Sequence, residues 1–112
     1  MTRYLISFDD GTMDIPEEDL EAAGVAAHAV VKSAQEAGAW IFGAGLRSQR
    51  SSVVGTNGDV TDGPFPETKA VLGGFAIVDV SSRDEALMWA AKLADACRCP
   101  QEVRELMYDP EV

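Results

Sequence analysis

Val71-Leu72-Gly73-Gly74-Phe75-Ala76-Ile77-Val78-Asp79-Val80 is the stretch that decides the fold. In an extended chain Phe75 and Ile77 fall on one side and Leu72, Ala76, Val78 and Val80 on the other, so both faces are apolar. Such a strand belongs in the middle of a sheet, covered on both sides. Gly73 and Gly74 weaken a strand interior, which implies a bulge or a close approach of another group. Ser82-Arg83-Asp84-Glu85 follows at once and fits a capping box, in which serine and glutamate satisfy each other's backbone donors. The helix it starts carries Leu87, Ala90, Ala91 and Ala94 on its expected buried face, with Trp89 and Leu93 as a second apolar strip. It should end before Pro100, and Val103 to Tyr108 reads as a last strand.

Upstream, Tyr4, Ile6 and Phe8 alternate onto one face of a first strand that ends in the turn residues Asp9-Asp10-Gly11. Pro16 followed by Glu17, Glu18 and Asp19 marks a helix start, since carboxylates there face the positive end of the helix dipole. This helix should run to about Gly38, with Leu20, Ala23, Gly24, Ala27, Val31 and Ala34 as a stripe of small apolar residues. Ala39 to Leu46 is a short apolar run bounded by glycine and reads as the second strand. Ser51 to Thr56 and Asp59 to Thr61, joined at Asn57-Gly58, form a hairpin. Asp62-Gly63-Pro64-Phe65-Pro66 is a stiff loop, because two prolines remove two ladder donors. The order is β-α-β-β-α-β with an inserted β-hairpin, which is the α+β class and a ferredoxin-like split βαβ sandwich.

With 112 residues, 46% of them hydrophobic and 25% charged, residues 1–112 fit one domain of ordinary globular composition. Two helices cover one face of such a sheet, so the second apolar face of Val71 to Val80 calls for a homodimer. Nineteen acidic against nine basic residues give a net charge of −10, which opposes binding to nucleic acid or an anionic membrane surface. No apolar run is long enough to span a bilayer and Met1 to Asp10 has no signal core, so a cytoplasmic protein is expected. Cys97 and Cys99 lie too close together for an easy disulfide and read as free thiols. One histidine and scattered carboxylates make no metal constellation, and no cofactor is expected. Gly43-Ala44-Gly45 is not a dinucleotide fingerprint, because no helix follows it.

Asp62-Gly63-Pro64-Phe65-Pro66-Glu67-Thr68-Lys69, with Leu72-Gly73-Gly74-Phe75 after it, resembles the signature of the bacterial DGPF group within the YCII-related superfamily. The resemblance extends through Gly38, Gly43 to Leu46, and Asp84-Glu85-Ala86-Leu87 with Trp89-Ala90. It implies a ferredoxin-like fold paired into a dimeric α/β barrel, and a superfamily linked to small-molecule chemistry and to sigma-factor neighbourhoods. Ala70 stands where the pattern usually has an acidic residue, and the ending Glu102 to Leu106 lacks the proline that commonly follows.

His28 has a spacing to Gly38 and Gly45 that resembles the YCII-type histidine placement. At about 100° per residue it lies roughly 80° from Leu20, on the border of the expected stripe, where a side chain can line a cleft. An imidazole there can act as general acid or base, with Asp62 as the carboxylate that orients it; Asp62 can equally serve as an Asx-turn former. Phe65, held between prolines, presents a ring to a pocket or anchors the loop. Arg47 and Lys69 could bind an anionic substrate, with Glu67 paired to either. Two function classes follow. One is a lyase or isomerase that moves a proton with His28 and Asp62 in a pocket between the first helix and the sheet. The other is a non-catalytic dimeric module that binds a small ligand or serves transcription regulation. The proline-bracketed loop should be rigid: hydrogen exchange at Asp62 to Lys69 should be slow, and Pro64→Ala with Pro66→Ala should speed it without unfolding the domain.

Overall fold

A computed structural model of the chain describes residues 1–9, 12, 14–47, 51–62 and 72–112. The proline-bracketed loop, with Phe65, Glu67 and Lys69, lies outside the described residues, as does Val71. The alternating N-terminal run forms β1 (Thr2–Asp9), and after a 3-10 turn at Glu17–Asp19 the chain enters α1 (Leu20–Glu36). Then come β2 (Trp40–Gly45), β3 (Ser52–Val54), β4 (Val60–Asp62), β5 (Leu72–Val80), α2 (Arg83–Cys97) and β6 (Glu102–Glu105). Four strands make one sheet in the order β2-β5-β1-β6, with each neighbouring pair antiparallel. This is an α+β fold whose strand order is compatible with the ferredoxin-like arrangement.

One face of the sheet carries the core. Cross-strand partners share a face, so the pairs Tyr4 with Val78 and Ile6 with Ala76 set the buried side of β1 and β5 together. Ile6, Val78 and Val80 are fully shielded beneath α2. Burial of each such side chain contributes about 1.5–3 kcal/mol. Phe75 and Ile77 point to the opposite side, as the alternation predicts.

The second helix differs in phase from its sequence reading. In α2 the buried stripe is Ala86, Trp89, Ala90, Leu93 and Ala96, while Leu87 and Ala91 are exposed. Trp89 and Leu93 carry more apolar area than the alanines and turn the helix toward themselves. In α1 the expected stripe is the inner face: Ala23 and Ala34 are buried, Gly24, Ala27 and Val31 are partly buried, and Val30 packs against the core beside them, while Leu20 in the first turn is exposed. The last strand is also shorter than expected. The Leu106 N–H bonds the Arg3 carbonyl at 2.9 Å, and β1 begins at Thr2, so Met107 and Tyr108 have no strand to pair with and stand exposed.

The capping box forms in modified shape. The Ser82 hydroxyl accepts from the Glu85 backbone N–H at 3.2 Å, but the Glu85 carboxylate accepts from the Ser81 N–H and hydroxyl instead of from Ser82. Those two bonds hold the Glu85 carboxyl below its usual range. Its contribution to stability is therefore present above the unfolded carboxylate pKa and is lost as pH falls through the lowered value. At the other end of α2, Arg98 takes the left-handed conformation (φ 56°) and ends the helix, with its guanidinium 3.1 Å from Asp19. No helix among the described residues is long and apolar enough to cross a membrane.

Two glycines in the sheet are required by close approach. A Cβ at Gly74 would lie 2.7 Å from the Phe8 ring, beside the register shift between Phe8 and Asp9, so the paired glycines mark both a bulge and a contact. A Cβ at Gly43 would lie 2.7 Å from the Trp40 indole and 2.9 Å from the Phe75 carbonyl oxygen. Gly43→Ala should cost roughly 1–3 kcal/mol by overpacking. Gly24→Ala, in α1 with nothing within 4 Å of the added Cβ, should instead stabilise by about 0.5–1 kcal/mol. Urea unfolding of the two variants checks the opposite signs.

Candidate functional site

The face of the sheet turned away from the helices carries two rows of largely apolar residues. On it the register aligns Phe42 of β2, Ile77 of β5 and Leu5 of β1 in one row, with Arg104 of β6 at the end. The next row runs Ala44, Phe75, Ser7 and Glu102. Phe42 is 57% exposed, and its ring centroid lies 6.0 Å from that of Phe75 at a tilt of 49°. Arg104 and Glu102 form an ion pair at the β6 edge, so a polar border flanks the apolar rows.

Phe42 reaches this face through an irregularity. Trp40 pairs with Val78 and Phe42 with Ile77, so two steps along β2 answer one step along β5. Strict alternation would put Trp40 and Phe42 on the same side. The extra residue, Ile41, turns Trp40 into the core and Phe42 outward. Sequence reasoning saw an apolar run here and did not single out Phe42, because one unpaired residue inverts every later side-chain direction. The glycine at position 43, over which the Trp40 ring lies, was the available signal.

The sequence-derived residues occupy separate elements. Asp62 ends β4, is exposed, and accepts a hydrogen bond from the Ser52 hydroxyl at 2.6 Å across the hairpin. β3 and β4 form a sheet of their own, joined to no strand of the main sheet. His28 lies on α1 and is exposed, because the buried phase of that helix is set by Ala23, Val30 and Ala34 and leaves position 28 on the outer side. Among the described hydrogen bonds none joins His28 to Asp62. Arg47 is exposed just beyond β2, at the end of the sheet where the Leu46 N–H bonds the Gly73 carbonyl.

Two concavities lie elsewhere. One, of about 540 Å³, runs between α1 and α2 and is lined by Ala22, Ala26, Ala29, Lys92, Asp95 and Arg98 among others. The second, of about 710 Å³, sits where Arg3, Asp79 and Leu106 meet the chain ends. Neither is lined by His28 or Asp62. Among the described residues no group of three or more His, Cys, Asp or Glu could hold a metal ion. Cys97 and Cys99 are both free thiols, and burial first, then the neighbouring Cys99, push the Cys97 thiol above its usual range. A thiol so placed is a poor nucleophile at neutral pH.

The family model of the YCII-related domain matches residues 3–105, and the chain belongs to that family. The chain is also 54% identical over 54 residues to a protein of Rhizobium meliloti (strain 1021) described as uncharacterized. That match takes in 46% of this chain and 44% of the relative, so the chain spans less than half the length of the curated relative it matches.

The thiol environment gives a chemical test. Iodoacetamide at neutral pH should alkylate Cys97 at least several-fold more slowly than an unfolded peptide of the same sequence, with the difference shrinking as pH rises. A mass-spectrometric time course follows it directly.

Proposed function

We propose that this YCII-related protein works as a DGPF-type homodimer that holds a small ligand against the open face of its four-stranded sheet. The observation that carries the reading is Phe42, standing largely exposed against Phe75 in a row with Ile77 and Leu5 while both helices occupy the other side. Apolar surface left in water costs roughly 25 cal/mol per Å², so this face favours an apolar occupant. A ligand with a flat apolar body fits the tilted phenyl pair, and Arg104 and Glu102 give polar groups a place at the border. Arg47 is proposed to meet an anionic group at the β2 end of the sheet, with Phe65, Glu67 and Lys69 of the signature segment as further ligand contacts.

A second reading, lyase or isomerase chemistry by His28 and Asp62, is favoured by one observation. The Asp62 carboxylate is exposed and fixed in direction by Ser52, as a carboxylate that orients an imidazole requires. The histidine would then take and return the proton, with the carboxylate stabilising its charged form.

Native mass spectrometry of the protein, released gently from its own source, separates the readings. The binding reading expects a retained small molecule that Phe42→Asp loses and His28→Ala keeps. Release of an unliganded protein by wild type and Phe42→Asp alike would contradict it. If turnover of the retained molecule is found, the catalytic reading expects His28→Ala to lower it on the order of 10² to 10⁴-fold.

A further inference from the structure

We infer that the β3–β4 ribbon is an arm that lies on the open sheet face of a second copy of this chain. This deepens the dimer reading above and rests on it. β3 and β4 pair with one another and with no strand of the main sheet. A lone two-stranded hairpin is at best marginal in water, so an ordered ribbon needs an apolar surface to lie on. It also carries the side chains for one. Val54 and Val60 are cross-strand partners that share a face with Ser52 and Asp62, and they are 65% and 62% exposed. Val53, on the other side of the ribbon, is 51% exposed.

The chain as a whole is less compact than its length allows. Its radius of gyration is 15.6 Å and its extents are 45 × 43 × 18 Å. A compact chain of this length has a radius of gyration of roughly 13 Å. A thin slab with a projecting ribbon has that excess, and a partner would fill the space beside it.

The occupant is a second copy because one chain supplies both halves of the contact, an apolar arm and an apolar sheet face with no helix on it. Under two-fold symmetry each is used twice. Val54 and Val60 with Phe42, Leu46 and Leu72 expose on the order of 500 Å² of apolar surface per protomer, about 1,000 Å² for the pair, which reaches the lower bound for a specific interface. Leu5, Phe75 and Ile77, partly buried, add a smaller share. The arm that delivers Val60 to the partner delivers Asp62 as well, two residues on and on the same face.

Photo-crosslinking tests this on the whole protein. A benzophenone amino acid is placed at position 60, and copies carrying it are mixed with isotopically heavy wild-type copies before illumination. The expected product is a covalent dimer joining one light and one heavy chain, with the bond mapped to β1, β2 or β5 at Leu5, Phe42, Phe75 or Ile77. Crosslinks confined within one chain, from a wild type that sediments as a dimer, would overturn the arm and leave the dimer standing. A wild type that sediments as a monomer would overturn both. Val54→Asp with Val60→Asp provides an independent check: it should weaken dimerisation at least tenfold while thermal unfolding of the main sheet, to which the ribbon is not paired, stays within a few degrees of wild type. Unchanged dimerisation would likewise overturn the arm.

Discussion

The pairing of β1 with β5 is the constraint on which the rest of the molecule depends. It runs from Thr2 opposite Val80 to Asp9 opposite Leu72 and puts Tyr4, Ile6, Ala76, Val78 and Val80 beneath Trp89 and Leu93 of α2. Because β1 and β5 are the two central strands, their second face is set at the same moment. Every side chain that the core draws inward sends its neighbour outward. Leu5, Phe75 and Ile77 are therefore placed on the uncovered side by the same hydrogen bonds that build the core. Both helices lie on the other side, and β6, the edge partner of β1, brings Arg104 and Glu102 to the border. The apolar open face is a direct consequence of the core.

Much of this was legible in the residues. Tyr4, Ile6 and Phe8, and the two faces of β5, could be assigned because a period of two in bulky side chains leaves a single choice. Asn57-Gly58 announced the ribbon, and Gly58 takes the positive φ of 90° that such a turn uses. The phase of α1 was legible, since Ala23, Gly24, Ala27, Val31 and Ala34 all lie on its inner side, whereas the phase of α2 was not. Alanines stand at positions 86, 90, 91, 94 and 96 of α2, on several sides of the helix, so composition alone does not say which side faces the sheet. His28 was expected at the border of the α1 stripe, but the core sits under Ala23, Val30 and Ala34 and the histidine faces outward. Phe42 was hidden for a different reason: a bulge at Ile41 reverses the alternation, and nothing in a local pattern announces one extra residue.

The candidate site divides along the same line. Asp62 was found by its place at the head of the signature segment, and the structure adds that Ser52 fixes its carboxylate across a ribbon standing apart from the main sheet. His28 was found by a resemblance of spacing and sits on the outer side of a different element. The surface with the strongest physical reason to bind something is the phenyl pair of Phe42 and Phe75, and it carries neither of those two residues. Membership of the YCII-related family fits an architecture of this kind.

The central claim is that the open sheet face is covered by a second copy of the chain. Small-angle scattering with absolute mass calibration, taken over a dilution series in the micromolar range, measures this most directly. The account predicts a mass near twice the 12.0 kDa of one chain, constant over the series. A 12.0 kDa particle with a radius of gyration close to 15.6 Å, at every concentration, would contradict it.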